Sequence, residues 1–163
     1  MAQSSYEPNI IPSILDRLLD DDPGNSQEPV ARRLHTLRAL ENSVARDLEA
    51  LLNTKQETLE ELPAELTEVS RSLIAYGLPD FTSLSLLNSN HRDLIRRAVE
   101  RAIAIYEPRL QRVKVTMETA RESESGLRFR IDAFLRVDPA PEPVTFDAVL
   151  QLNTQQYLVK GQT

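Results

Sequence analysis

Chemistry requires particular side chains at particular spacings, and most of the common sets are missing from this chain. Its 163 residues include no cysteine, which excludes thiol nucleophiles, disulfides and zinc–thiolate sites together. The two histidines, His35 and His91, stand 56 positions apart and cannot form a local metal-binding pair. His91 falls at a predicted helix start and fits a surface or capping role; His35 fits the exposed side of its helix. The four glycines, Gly24, Gly77, Gly126 and Gly161, are nowhere closer than 35 positions. Dinucleotide fingerprints, P-loops and Gly-x-Ser-x-Gly elbows all need glycines crowded into one turn, so none can form. Carboxylate pairs are plentiful among 25 acidic residues, but none sits in a recognisable hydrolase motif. Asp20-Asp21-Asp22 reads as an acidic surface turn, without the distal glutamate that a calcium loop needs. The expectation is no catalytic set, no metal and no cofactor.

Two groups of charged residues remain. In Glu107-Pro108-Arg109 the glutamate faces the negative end of a predicted helix, typically unfavourable by a few tenths to about 1 kcal/mol. A compensating cation is therefore expected. Arg109 is not expected to fold back across the proline, so each charge should pair elsewhere, inside the fold or on a partner. Both roles stay open at this point: a junction network, or a contact point for another subunit. The second group, Arg112, Lys114, Arg128, Arg130 and Arg136, falls on the outward face of a predicted sheet. Phe134 is the sole outward aromatic, and nucleic-acid binding would want more excess charge and interleaved rings. A solvated face or a surface for an acidic protein fits better. The outermost strands would also carry free N–H and C=O groups, open to strand addition unless blunted.

The elements that must position these residues are legible from apolar periodicity. Residues 1–12 form a polar lead, expected to be flexible and without the basic start of an export signal. Ile14, Leu15, Leu18 and Leu19 mark a short helix, and a stripe from Leu34 to Leu52 marks a longer one. Asn42-Ser43 either interrupts that stripe or caps a second helix. Residues 53–63 read as a loop, Glu65 to Ala75 as another amphipathic stretch, and Gly77 as its positive-φ stop. Asn88, Ser89 and Asn90 can cap a helix carrying Leu94, Ile95, Ala98, Val99, Ala102, Ile103 and Tyr106, which Pro108 must end. Beyond it the period changes to two. Alternating runs at 113–117, 127–137, 144–152 and 157–160 read as strands, with the Pro139, Pro141 and Pro143 cluster in a turn. The prediction is α+β: N-terminal helices packed on one face of a C-terminal antiparallel sheet of three to four strands, one domain over 13–160 and a tail at 161–163.

Charge follows the same division. The total is −6, yet residues 1–89 carry a net −8 and residues 90–163 a net +2. No apolar run approaches the ~20 residues of a membrane helix, so direct insertion is not expected.

Several segments carry a family resemblance. Ser13 to Leu19 (SILDRLL), Val44 to Thr54 (VARDLEALLNT), Ile74 to Asp80 (IAYGLPD) and Tyr106 to Leu110 (YEPRL) occur in this order, followed by the alternation around Val144-Thr145-Phe146-Asp147. Together they resemble the TssE family of type VI secretion baseplate subunits, related to the lysozyme-like wedge protein of contractile phage tails. The resemblance spans about residues 13–160, and only the stretch from Asp20 to Arg38 matches nothing sharply. It implies a structural part at the cytoplasmic, inner-membrane-associated baseplate. Its implied partners are TssF, TssG and TssK in the wedge and the sheath subunits TssB and TssC, whose polymerisation it would initiate. It also implies that Glu107, Pro108 and Arg109 stabilise or form a docking region, that sheet edges exchange strands with the sheath, and that Arg109→Ala or Glu107→Ala leaves the fold intact but abolishes sheath assembly. A regulatory module of the same fold, like anti-adaptor proteins, is the alternative, and a peptidoglycan hydrolase a distant third.

Overall fold

In a computed structural model, the structure describes residues 10, 13–18, 37–56, 66–85, 88–118, 126–151 and 156–162. The acidic turn at Asp20–Asp22, His35 and the 57–63 loop lie outside the described residues, as does nearly all of the N-terminal lead. Ile10, in that lead, packs against the core.

Among the described residues three α-helices precede four strands: α1 (Ile14–Leu18), α2 (Leu37–Asn53) and α3 (Ser89–Tyr106), then β1 (Leu110–Glu118), β2 (Gly126–Leu135), β3 (Glu142–Gln151) and β4 (Gln156–Gln162). The sheet is antiparallel throughout, in the order β1-β2-β3-β4. This is the expected α+β arrangement, with four strands.

Both long helices exist because their apolar residues recur on one side. In α2, Leu40, Val44, Leu48, Leu51 and Leu52 are buried, and Asn42-Ser43 neither interrupts nor caps it. Ser43 is itself buried within the helix. α3 starts at Asn88, whose side chain accepts a hydrogen bond from the Asn90 N–H at 2.9 Å. It buries Ile95, Val99, Ala102 and Ile103, whereas Leu94 of the expected stripe is 53% exposed. The inner sheet face supplies Val115, Phe129, Ile131, Leu135, Phe146 and Ala148 to the same core.

Strand β1 solves a parity problem that its sequence sets. Leu110 and Val113 both pack toward the core although three positions apart, which strict alternation forbids. A bulge between Gln111 and Lys114 absorbs the extra residue, with Arg112 at φ +52°. Arg112 is thus a bulge residue rather than one step of a regular alternation, and its guanidinium lies 5.7 Å from the Phe134 ring centre.

Elsewhere the structure corrects the periodicity. The amphipathic stretch before Gly77 is described from Leu66 onward, and there it forms two short 3-10 turns, Val69–Arg71 and Leu73–Ala75. Ser72 divides them: its hydroxyl donates to the Val69 carbonyl and accepts from the Ile74 N–H. Leu73 and Ile74 consequently face solvent. Gly77 takes the expected positive φ, +109°, but after a 3-10 turn rather than an α-helix, and a Cβ there would stand 2.3 Å from the Thr54 carbonyl oxygen. That approach lets Leu78 N–H donate to Thr54 O, and Gln56 N–H to Leu78 O, both at 2.8 Å. Pro143 lies within β3 rather than in the turn, opposite Phe134 of β2, and the described pairing of β3 with β4 begins two residues later at Thr145. Gly161 and Gln162 are paired with β3, although the pattern assigned them to a tail.

Candidate functional site

At the end of α3, Glu107 caps the helix with its N–H on the Ile103 carbonyl (2.9 Å), at φ −120° and ψ 77°. Its side chain is buried while Pro108 is exposed. The sequence expectation fails at the next residue, because Arg109 does fold back. Its Nε donates to Glu107 Oε1 at 2.6 Å and its Nη2 to Oε2 at 2.5 Å, a two-pronged pair. The Arg109 backbone N–H adds a bond to Oε1 at 3.2 Å. Proline reverses the chain just enough for a side chain two positions on to clasp the carboxylate. The cation required by the helix end is thus supplied locally.

Arg109 has further partners on α2. Its Nη2 also donates to Asp47 Oδ2 (2.5 Å) and its Nη1 to Ser43 Oγ (3.3 Å). Ser43 passes the connection on, its hydroxyl donating to Asp16 Oδ2 at 2.7 Å. Arg46 closes a second route, reaching Asp16 Oδ1 at 2.6 Å and Asp47 Oδ1 at 3.2 Å through Nη2. Asp16 is fixed within α1 by a reciprocal cap: Ser13 N–H and Oγ donate to its carboxylate, and Asp16 N–H donates to Ser13 Oγ.

Electrostatics follows from these bonds. Burial acts to raise the Asp16 carboxyl, but hydrogen bonds from Ser13, Arg46 and Ser43 outweigh it and hold the group well below the usual carboxylate range. The bonds to Glu107 push Arg109 above its ordinary value, against burial and with help from Asp47. Tyr76 is pushed up by burial and by the negative charges of Asp47 and Glu107. That places Tyr76 beside the same network, with its ring edge-on to Tyr106 at 5.1 Å. Tyr106 in turn donates through its hydroxyl to the Ser72 carbonyl.

The structure therefore gathers at one place four segments that the sequence spreads over almost 100 positions: Ser13–Leu18, the first turns of the VARDLEALLNT run, Tyr76-Gly77, and Tyr106 to Leu110. Sequence reasoning picked Glu107 and Arg109 but missed Asp16, Ser43, Arg46 and Asp47. The i, i+3 and i, i+4 spacing of Ser43, Arg46 and Asp47 on a helix was the available signal.

Of the five expected basic sheet residues, Arg112, Lys114, Arg128 and Arg130 are exposed on β1 and β2, whereas Arg136, also exposed, lies just past the end of β2 and outside the sheet. They do not form a uniform cationic field. Asp132 faces Lys114 across the strands and accepts from Arg130 Nε at 3.1 Å. His91, in the first turn of α3, accepts the Ser85 N–H at Nδ1 (3.0 Å) and so ties the preceding turn to the helix; the N-cap is Asn88. Among the described residues no group of three potential ligands is placed to hold a metal ion.

Chemically, each carboxylate of the junction is paired with a guanidinium: Glu107 and Asp47 with Arg109, and Asp16 with Arg46. These charges tie α1 and α2 to the α3–β1 corner. In comparison with known families, residues 38–140 match the baseplate wedge protein gp25 family, and the chain belongs to it. Membership brings a structural role in a phage-tail-like baseplate, in contact with other baseplate proteins. No curated protein and no solved structure gives a match.

Proposed function

We propose that this chain is the TssE-type subunit of a type VI secretion baseplate. It joins TssF, TssG and TssK in the wedge and offers the platform from which the TssB–TssC sheath polymerises, on the cytoplasmic side of the inner membrane. The observation that carries the proposal is the convergence of the family segments on the Glu107–Arg109 junction. Residues that could have matched a family for separate reasons instead form one clamp, which links α1, α2 and the α3–β1 corner. A platform must present a fixed geometry to the first ring of subunits laid on it, and such a clamp supplies that. In this reading Glu107, Pro108 and Arg109 shape the docking region, and the basic residues Arg112, Lys114, Arg128, Arg130 and Arg136 meet an acidic protein surface. The described helices include none long and apolar enough to cross a membrane.

The test is co-expression of the tagged chain with TssF and TssG, alongside fluorescent sheath imaging in a strain deleted for this gene. A stable complex and the loss of sheath foci are expected. Sheath foci forming normally in the deletion strain would overturn the proposal.

A further inference from the structure

The outer strands of the sheet are expected to be open, yet both carry side-chain bonds where a neighbouring strand would pair. In β4, Leu158 and Lys160 lie opposite Val149 and Asp147, while Tyr157 and Val159 alternate with them. The Tyr157 N–H donates to Asn53 Oδ1 at 2.7 Å, and the Tyr157 carbonyl accepts from Asn53 Nδ2 at 2.9 Å. One carboxamide thus makes both bonds that a strand residue would make in an antiparallel pair. Two residues on, the Val159 N–H donates to Glu49 Oε2 at 2.9 Å. Asn53 and Glu49 lie four apart on α2, one turn of helix, matching the two-residue step between the edge groups they meet.

The opposite edge repeats the device. Val115 N–H of β1 donates to Glu100 Oε1 at 2.9 Å. Arg96, one turn back on α3, holds the other oxygen of Glu100 at 2.8 Å. Each edge strand is thus capped at mid-length by polar side chains of the long helix beside it, a way of blunting an edge that periodicity does not reveal.

We propose that Asn53 and Glu49 form a strand-mimicking cap that keeps the β4 edge from pairing with a second copy of this chain, and that removing them turns β4 into a self-pairing edge. Glu100 does the same for β1. The inference is independent of the assembly role proposed above, since it concerns the isolated subunit.

The test uses the full chain, with E49A/N53A compared with wild type by amide hydrogen exchange and sedimentation velocity. Exchange at Tyr157 and Val159 is expected to rise about tenfold or more, since each amide loses a partner, one of them charged. Self-association absent in the wild type is expected to appear, and a synthetic peptide of residues 156–162 should bind the variant and compete with it. N53D serves as the conservative variant: it keeps the acceptor for Tyr157 N–H but turns an oxygen toward the Tyr157 carbonyl, and should give an intermediate effect with near-native melting. Unchanged exchange at both amides in folded variants would overturn the proposal. So would faster exchange without self-association, because the body of α2 would then be closing the edge. Equal peptide capture by the wild type would overturn it as well.

Discussion

Arginine serves opposite purposes in two regions of this molecule. At the junction, Arg109 is three-quarters shielded from solvent and donates to Glu107, Asp47 and Ser43. On the outer sheet face, Arg130 is 45% exposed and bonds Asp132, a neighbour that is itself 43% exposed. Both regions contain ion pairs, 2.5 Å long at the junction and 3.1 Å on the outer face, and their energetics differ because water competes less for the first. A partly buried fork that already satisfies a buried carboxylate is difficult to replace; an exposed pair contributes ~0–1 kcal/mol. Stability therefore rests on the junction, and the outer face is left free to be tuned for contact.

Three experiments can break or sharpen that contrast, beginning with the largest expected effect. Arg109→Ala should destabilise the fold by about 2–4 kcal/mol in urea unfolding, because the buried Glu107 side chain loses the guanidinium that pairs with it. This revises the expectation that the substitution leaves the fold intact. Arg109→Lys should recover part of the loss, keeping the charge but not the fork. An effect of Arg109→Ala below about 0.5 kcal/mol would erase the distinction between the regions.

The second experiment is acid titration. Because the folded Asp16 carboxyl is held below its ordinary value, it binds protons less readily than in the unfolded chain. Its contribution is full above about pH 4 and is lost as pH falls through the folded value. Asp80 adds to the trend, held near 2 chiefly by its bond with Lys55. Stability measured from pH 6 to pH 2 should fall in the wild type and fall less steeply in Asp16→Asn. Parallel curves would show that the network is not what acid dissolves.

The smallest effect is expected on the outer face. Arg130→Ala should change stability by no more than about 0.5 kcal/mol. Pull-down of baseplate partners should nevertheless weaken if that face is a docking surface. Loss of stability comparable to that of Arg109→Ala would contradict the comparison.

The sequence carried the fold well wherever one face of an element is buried. The stripes of α2 and α3 and the alternations at 127–135 and 144–150 were legible because burial imposes a period on residue type. Legibility failed where local polar bonds overrule that period, as when Ser72 divides an apparently amphipathic stretch into two turns. It failed again for the site, where Arg109 was recognised but its route back to Glu107 was not. Whether a side chain can turn around a proline is a matter of three-dimensional reach. The bond from Ser43 to Asp16 joins positions 27 apart through a segment with no sharp pattern, and nothing local announces it.

The clasp across Pro108 also has a mechanical meaning. α3 contains 18 residues, so it extends ~27 Å from that corner. A swing of about 10° at its base would displace the far tip, near Asn88, by ~5 Å over that length. By pinning the corner at two residues, Glu107 and Arg109 set the position of a surface one helix-length away. An assembly that relies on that distant tip would register the loss of the clasp as misalignment, even in molecules that remain folded.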